Sequence, residues 1–145
     1  MFPLSDGGAI VGPMGFRSAF PMLACDDLQR SLAFYRDALG FRETYRFEDE
    51  GTATFVALQL GDGSGLGLGG VPEGGAGIHG LPQRPISGRY FEMCVYCDDV
   101  DASIEELRAL GHPVLVEPSG TPWGERIAYV ADPDGHPIML ATTST

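Results

Sequence analysis

The chain has 145 residues, 43 % of them hydrophobic, with nine basic and 20 acidic side chains and a formal net charge of −11. This length supports one core-bearing domain, and no apolar run approaches the roughly 20 residues needed to cross a bilayer, so a soluble chain is expected. So acidic a surface repels phosphate backbones and anionic lipid, which excludes nucleic acid and membrane from the expected partners.

Residues 1–18 carry no basic side chain before Arg17, and their short apolar stretches are broken by Gly and Pro. They lack the layout of a secretory signal and are expected to be a loose leader on a cytoplasmic chain. The first expected strand, AFPMLAC, runs into DDLQRSLAFYRDALGF. There Asp26 or Asp27 caps a helix with Leu28, Leu32, Tyr35 and Leu39 on one face and Gly40 as its stop. FRETYRF, TATFVALQL and the glycine-rich SGLGLGG follow as strands, with a hairpin turn at EDEG. The Gly/Pro-rich stretch from Val71 to Gly88 is read as a linker.

The second half repeats the first. YFEMCVYC is the expected strand, Asp98 or Asp99 caps a helix with Val100, Ile104, Leu107 and Leu110 on one face, and Gly111 stops it. PVLVEP, ERIAYVA and PIMLA complete the set, and the two DD starts lie 72 positions apart. The expected fold is α+β: two βαβββ modules, 19–70 and 89–145, joined by the linker 71–88 into one domain. Each module gives a curled mixed sheet with its helix on the outer face, and two placed side by side would leave a concave wall suited to a ligand.

Two local motifs look chemical. In CVYC a redox pair would need both sulfurs on a turn at a helix start, whereas strand geometry sends Cys94 and Cys97 to opposite faces. Cys25, Cys94 and Cys97 are therefore expected as reduced thiols. VADPDGHPIML gathers two aspartates, a glycine and a histidine in five positions. Asp132-Pro133-Asp134-Gly135 has the Pro and Gly of a type I turn, and it fails as a calcium loop because Gly comes at position four and no acidic residue follows in register. His136, three residues before Met139, is expected on the other strand face. His79 in the linker and His112 behind the helix stop read as solvated or structural.

The duplicated module, DDLQRSLAFYRDALGF and the terminal DPDGHPIML resemble the vicinal oxygen chelate superfamily of glyoxalases, bleomycin-resistance proteins and extradiol dioxygenases. The resemblance spans about Ala19 to Ala141. It implies a divalent metal held by His or Gln from the first strand of each half and Glu from a last strand. Placed on that pattern, this chain offers Phe20, Glu92 and Met139, and only Gly and Leu in SGLGLGG. Glu92 is the only expected donor, so no metal, cofactor or catalytic residue is expected.

The resemblance and strand parity instead imply a ligand-binding wall of Phe20, Met22, Glu92, Tyr96, Tyr129 and Met139, suited to a flat and cationic guest. TPWGERIAYVADPDG resembles the bleomycin-resistance group, in which a Trp-Gly pair precedes the penultimate strand, and this adds Trp123 as a ligand contact. That group consists of acidic, metal-free dimers that sequester a cationic drug. The expected function is thus sequestration of a small hydrophobic or cationic molecule such as an antibiotic by a homodimer. The alternatives are a metal-dependent lyase, epimerase or dioxygenase using Glu92 with His79 or His136, and a regulatory or scaffold module whose wall is packed shut.

Overall fold

The computed structural model describes residues 20–71 and 92–143. The expected leader, most of the linker with His79, and Phe91 lie outside them. The chain divides into two compact units. In the first, β1 (Met22–Cys25) leads to α1 (Leu28–Leu32), which continues as a π-helical segment over Ala33–Ala38, then to β2 (Arg42–Asp49), β3 (Thr52–Leu60) and β4 (Ser64–Gly70). In the second, β5 (Met93–Tyr96) leads to α2 (Val100–Ala109), β6 (Val114–Gly120), β7 (Glu125–Ala131) and β8 (Pro137–Thr143).

The sheet orders are β1-β4-β3-β2 and β5-β8-β7-β6. In each, the first strand runs parallel to the last while the other pairs are antiparallel. The expected α+β duplication is therefore present. No helix among the described residues is long and apolar enough to cross a membrane.

Both helices begin on the second aspartate of their pair. The Asp27 carboxylate accepts the backbone N–H of Arg30 at 3.2 Å and that of Asp99 accepts Ala102 N–H at 3.0 Å, each cap contributing about 1 kcal/mol. Gly40 and Gly111 take the left-handed conformation expected of a stop, with φ of 87° and 91°. In α2, Val100, Ile104 and Leu107 are buried as their spacing requires. Leu110 departs from the expectation: it is the C-cap residue rather than part of the helical face and is 59 % exposed.

The first helix departs further. It is α-helical only to Leu32, and the wider π-helical turn brings the adjacent rings of Phe34 and Tyr35 into the core together. Their centroids lie 4.9 Å apart at 89°, and Tyr35 meets Phe41 edge-on at 5.9 Å. An α-helix would swing two successive side chains about 100° apart. Leu39 ends half-buried at the C-cap.

The expected strands are right in place and inexact in length. β1 and β5 are only four residues long, so Phe20 precedes its strand, and Cys97 follows its own. β2 runs on to Asp49, leaving Glu50 and Gly51 as a two-residue hairpin turn, both at positive φ as such a turn requires. β6 extends through Pro118 to Gly120 with two irregularities in its pairing, which an edge strand tolerates.

Burial is deepest on the side of each sheet that faces its helix, although Ala57, Ala131 and Ala141 on the other side are buried as well. Val95, Ala128, Val130, Ile138 and Leu140 are buried with α2, while Leu23, Cys25, Val56, Leu58, Leu66 and Leu68 are buried with the first helix. The opposite, helix-free faces carry the residues of interest. On the first unit's face, the aromatic ring of Phe55 lies over Gly67, where a Cβ would stand 2.9 Å from it and 3.2 Å from Met22 Cγ. The glycine-rich strand thereby provides the floor on which Phe55 and Met22 rest.

Candidate functional site

Strand pairing decides which side chains share the helix-free face of the second unit. Cys94 pairs with Met139, which pairs with Tyr129, which pairs with Val116. In the next row Tyr96 pairs with Ala141, and Ala141 with Ile127. Glu92, just before β5, and Glu125, at the start of β7, share this parity. The expected alternation of Glu92, Cys94 and Tyr96 against Met93 and Val95 is present: Tyr96 is 62 % exposed and Val95 8 %.

The polar groups on this face are organised in two poles. At one, the Tyr129 hydroxyl donates to Glu92 Oε1 at 3.3 Å. At the other, the Tyr96 hydroxyl donates to Glu125 Oε2 at 2.6 Å, and the Trp123 indole N–H donates to Glu125 Oε1 at 2.8 Å. Glu92, one residue ahead of β5, stands four residues before Tyr96 at the end of that strand, so the poles are roughly 13 Å apart along it. Met139, Ala141 and Ile127 form an apolar floor between them. Trp123 lies in the turn before β7, held by the hydrogen bond of Gly124 N–H to Thr121 and by the Thr121 hydroxyl on the Glu125 carbonyl. Its ring is 65 % exposed.

The electrostatics of this face are one-sided. Burial first, then Glu125, Cys97 and Glu92, push the Cys94 thiol above its ordinary range, which disfavours its thiolate form. The Tyr96 phenol is raised chiefly by its hydrogen bond to Glu125. Tyr129 is raised by burial and then by Glu92. No disulfide links the three cysteines.

Of the expected wall, the structure thus brings Glu92, Tyr96, Trp123, Tyr129 and Met139 onto one sheet face. Phe20 and Met22 belong to the first unit, where Phe20 is half-buried ahead of β1 and Met22 is 63 % exposed. Glu125 was not anticipated, although counting back by twos from Tyr129 reaches it. Its role is set by Tyr96, 29 positions away.

The DPDGH motif is a turn. Gly135 N–H donates to the Asp132 carbonyl at 2.9 Å, and Gly135 has φ of 86°. The Asp132 carboxylate is buried and accepts the backbone N–H groups of Asp134 at 3.0 Å and His136 at 2.7 Å on Oδ1. His136 Nδ1 lies 2.9 Å from its Oδ2. Ligating atoms of Asp132, Asp134 and His136 come within 4.8 Å of one another, but this carboxylate already serves the turn with both oxygens. His136 precedes β8 rather than sitting within it, so its direction comes from Asp132 and not from the strand alternation expected.

The metal implied by the resemblance does not fit the side chains at the corresponding positions. Phe20 offers no donor, Met139 offers a thioether unsuited to hard ions, and β4 offers only Gly and Leu after its first residue, Ser64. Glu92 alone has ligand chemistry, and it is hydrogen-bonded to Tyr129.

Fold and site together define a duplicated βαβββ protein with a helix-free, aromatic and acidic sheet face. The family model for the Glyoxalase/Bleomycin resistance protein/Dioxygenase superfamily matches residues 17–140. A lactoylglutathione lyase of Haemophilus influenzae is 33 % identical over 124 residues, covering 81 % of this chain and 85 % of that protein. The solved lactoylglutathione lyase of Agrobacterium tumefaciens superposes with a TM-score of 0.61 at 27 % identity, covering 86 % of this chain and 92 % of that one. A glyoxalase/bleomycin resistance protein/dioxygenase from Nocardioides gives 0.64 at 26 %, covering 88 % and 83 %. The chain belongs to the glyoxalase/bleomycin resistance protein/dioxygenase superfamily.

Proposed function

We propose that the protein binds, and acts by sequestering, a small apolar or cationic organic molecule without a metal. The observation that carries this is the donor set: Phe20 and Met139 stand where the family's enzymes place ligands, while exposed Tyr96 and Trp123 stand beside carboxylates over an apolar floor. Aromatic faces and carboxylates without a Lewis acid suit affinity rather than turnover. The proposal keeps two further expectations of the resemblance, an antibiotic as guest and self-association as a homodimer, together with the cytoplasmic location expected from the sequence.

The test is a fluorescence titration with two aromatic dyes, neutral N-phenyl-1-naphthylamine and cationic ethidium, with and without EDTA. Saturable binding that ignores the chelator is expected. Linear, unsaturable signals, or binding abolished by EDTA, would sink the proposal.

A second reading is favoured by the likeness to the Haemophilus influenzae lactoylglutathione lyase. It is a metal-dependent lyase, epimerase or dioxygenase built on Glu92, with His79 or His136 recruited to complete the ligand set. It requires about one divalent ion per chain, lost on Glu92→Ala.

A further inference from the structure

Positive charge is scarce in this chain: nine arginines and no lysine face 20 aspartates and glutamates. With carboxylates so abundant an arginine finds one readily, and Arg36, Arg46, Arg108 and Arg126 each do. Among the described residues Arg30 and Arg42 form no ion pair. Arg30 lies on the exposed surface of α1. Arg42 stands instead on the helix-free face of the first unit's sheet, because it pairs with Gln59, which shares that face with Phe55 and Ala57. Its neighbour Glu43 does not serve it. Strand alternation turns that carboxylate to the helix side, where Arg36 and Arg46 hold it.

Arg42, Gln59 and Gly65 form one row across the face, and the next runs from Tyr45 to Gly67. The two rows hold a single charge, that of Arg42. Arg42 and Gln59 are direct cross-strand neighbours, so their Cβ atoms lie about 5 Å apart. The Gln59 amide is half-buried, and its side chain too has no hydrogen-bond partner among the described residues. A guanidinium fork and an amide NH₂ are thus left open side by side, and both donate. What the pair lacks is an acceptor, and the planar fork of an arginine matches a carboxylate through two parallel hydrogen bonds. Beside them Tyr45 and Phe55 present half-buried rings with centroids 6.4 Å apart, tilted by 53°. Phe55 lies over Gly67, where no side chain lifts it off the sheet, and Gly65 likewise leaves the row of Arg42 bare on β4. A flat apolar body attached to the carboxylate would rest against these rings.

The geometry points to the helix-free face of the first unit as a binding site for an organic acid, a carboxylate carried on an aromatic or flat apolar body, with Arg42 as its charge partner and Gln59 as the second donor. This goes beyond the binding function proposed above in ligand class and in location, and it does not depend on that function. The net charge of −11 repels anions at range, so selection happens at contact: at physiological salt, charges beyond about 8 Å are largely screened, while the Arg42 contact is not.

The probes are 2-naphthoate and its neutral counterpart 2-naphthamide, titrated into the full chain by calorimetry. The unaltered protein is expected to bind naphthoate saturably and at least about threefold more tightly than naphthamide. Arg42→Gln should weaken naphthoate about three- to tenfold, the range of a solvent-accessible bidentate ion pair, and naphthamide by less than about twofold. Gln59→Leu, which keeps the size of the side chain and removes its donor, should weaken naphthoate about two- to fivefold. Arg30→Gln makes the same change of net charge at the other unpaired arginine and should alter neither probe. Thermal melts by circular dichroism check that the variants are folded, and Arg42→Lys, which keeps the charge and loses the fork, is the second variant at that position, with an intermediate loss. No saturable naphthoate binding, equal affinity for the two probes, unchanged affinity in Arg42→Gln, or the same loss in Arg30→Gln overturns the proposal. Ethidium and N-phenyl-1-naphthylamine, titrated in parallel, keep the two readings apart: naphthoate binding that persists where both dyes fail sinks the function proposed above and leaves this site standing.

Discussion

Replacing Asp132 separates a structural turn from a metal centre. Asp132 is 4 % exposed, and its carboxylate accepts two backbone N–H groups on Oδ1 and the His136 ring on Oδ2. Hydrogen bonds to a charged acceptor are worth about 1.5–3 kcal/mol each. Asp134 and His136 are only half-buried, so water replaces part of what Asp132→Ala removes. The net loss is then about 2–4 kcal/mol. In Asp132→Asn one oxygen still receives both backbone N–H groups, while the amide N–H donates to His136 Nδ1 in its other tautomer, and the loss shrinks to about 1 kcal/mol. Urea unfolding reads both variants as shifts of midpoint at constant slope. Equal losses for Asn and Ala, or an Ala variant as stable as the parent, would refute the assignment of this carboxylate to the turn.

On the first unit's sheet, Gly67→Val should cost about 1–3 kcal/mol, because its side chain meets Phe55 at a point where even a Cβ stands 2.9 Å away. Adding Phe55→Leu should recover part of that loss in the same urea assay, and no recovery would mean that the ring does not lie there. Glu43 accepts Arg46 at 2.6 Å and Arg36 at 3.1 Å, and these arginines, Arg46 first, hold its carboxyl below the ordinary range. Its stabilising contribution is present above the ordinary carboxylate pKa and fades as pH falls through the lowered one. Glu43→Gln should therefore flatten the acid limb of a stability-against-pH curve, and an unchanged limb would count against the pairing. Tyr96 should ionise later than a free phenol in an absorbance titration and shift back toward the ordinary range in Glu125→Gln, since the hydrogen bond to that carboxylate is the main cause. No shift would remove Tyr96 from Glu125.

Much of this architecture could be read from local chemistry. The aspartate caps, the glycine stops and the parity of β5 each depend on residues a few positions apart, the duplication shows as the same local pattern recurring 72 positions on, and each appears as expected. The π-helical segment does not follow from apolar spacing, because two buried neighbours, Phe34 and Tyr35, satisfy no α-helical period. One trace of it exists in the repeat itself: Gly40 follows Asp27 by 13 positions while Gly111 follows Asp99 by 12. The first helix carries the additional residue that the wider turn absorbs. Glu125 was hidden for a different reason. Its parity is local, but its meaning comes from Tyr96 across the sheet, and no pattern along β7 announces a partner on β5. Phe55 over Gly67 is of the same kind, a contact between strands that makes a glycine-rich strand useful as a floor.

The central claim is binding without a metal, and the most direct measurement is bound metal per chain. The untagged protein, purified without chelator, is dialysed against iron, zinc, nickel and manganese, freed of loosely held ions and analysed by elemental analysis. A value near zero, with dye binding retained, is the expected result. A value near one per chain, lost on Glu92→Ala, would contradict it and place Glu92 at the centre of a catalytic site.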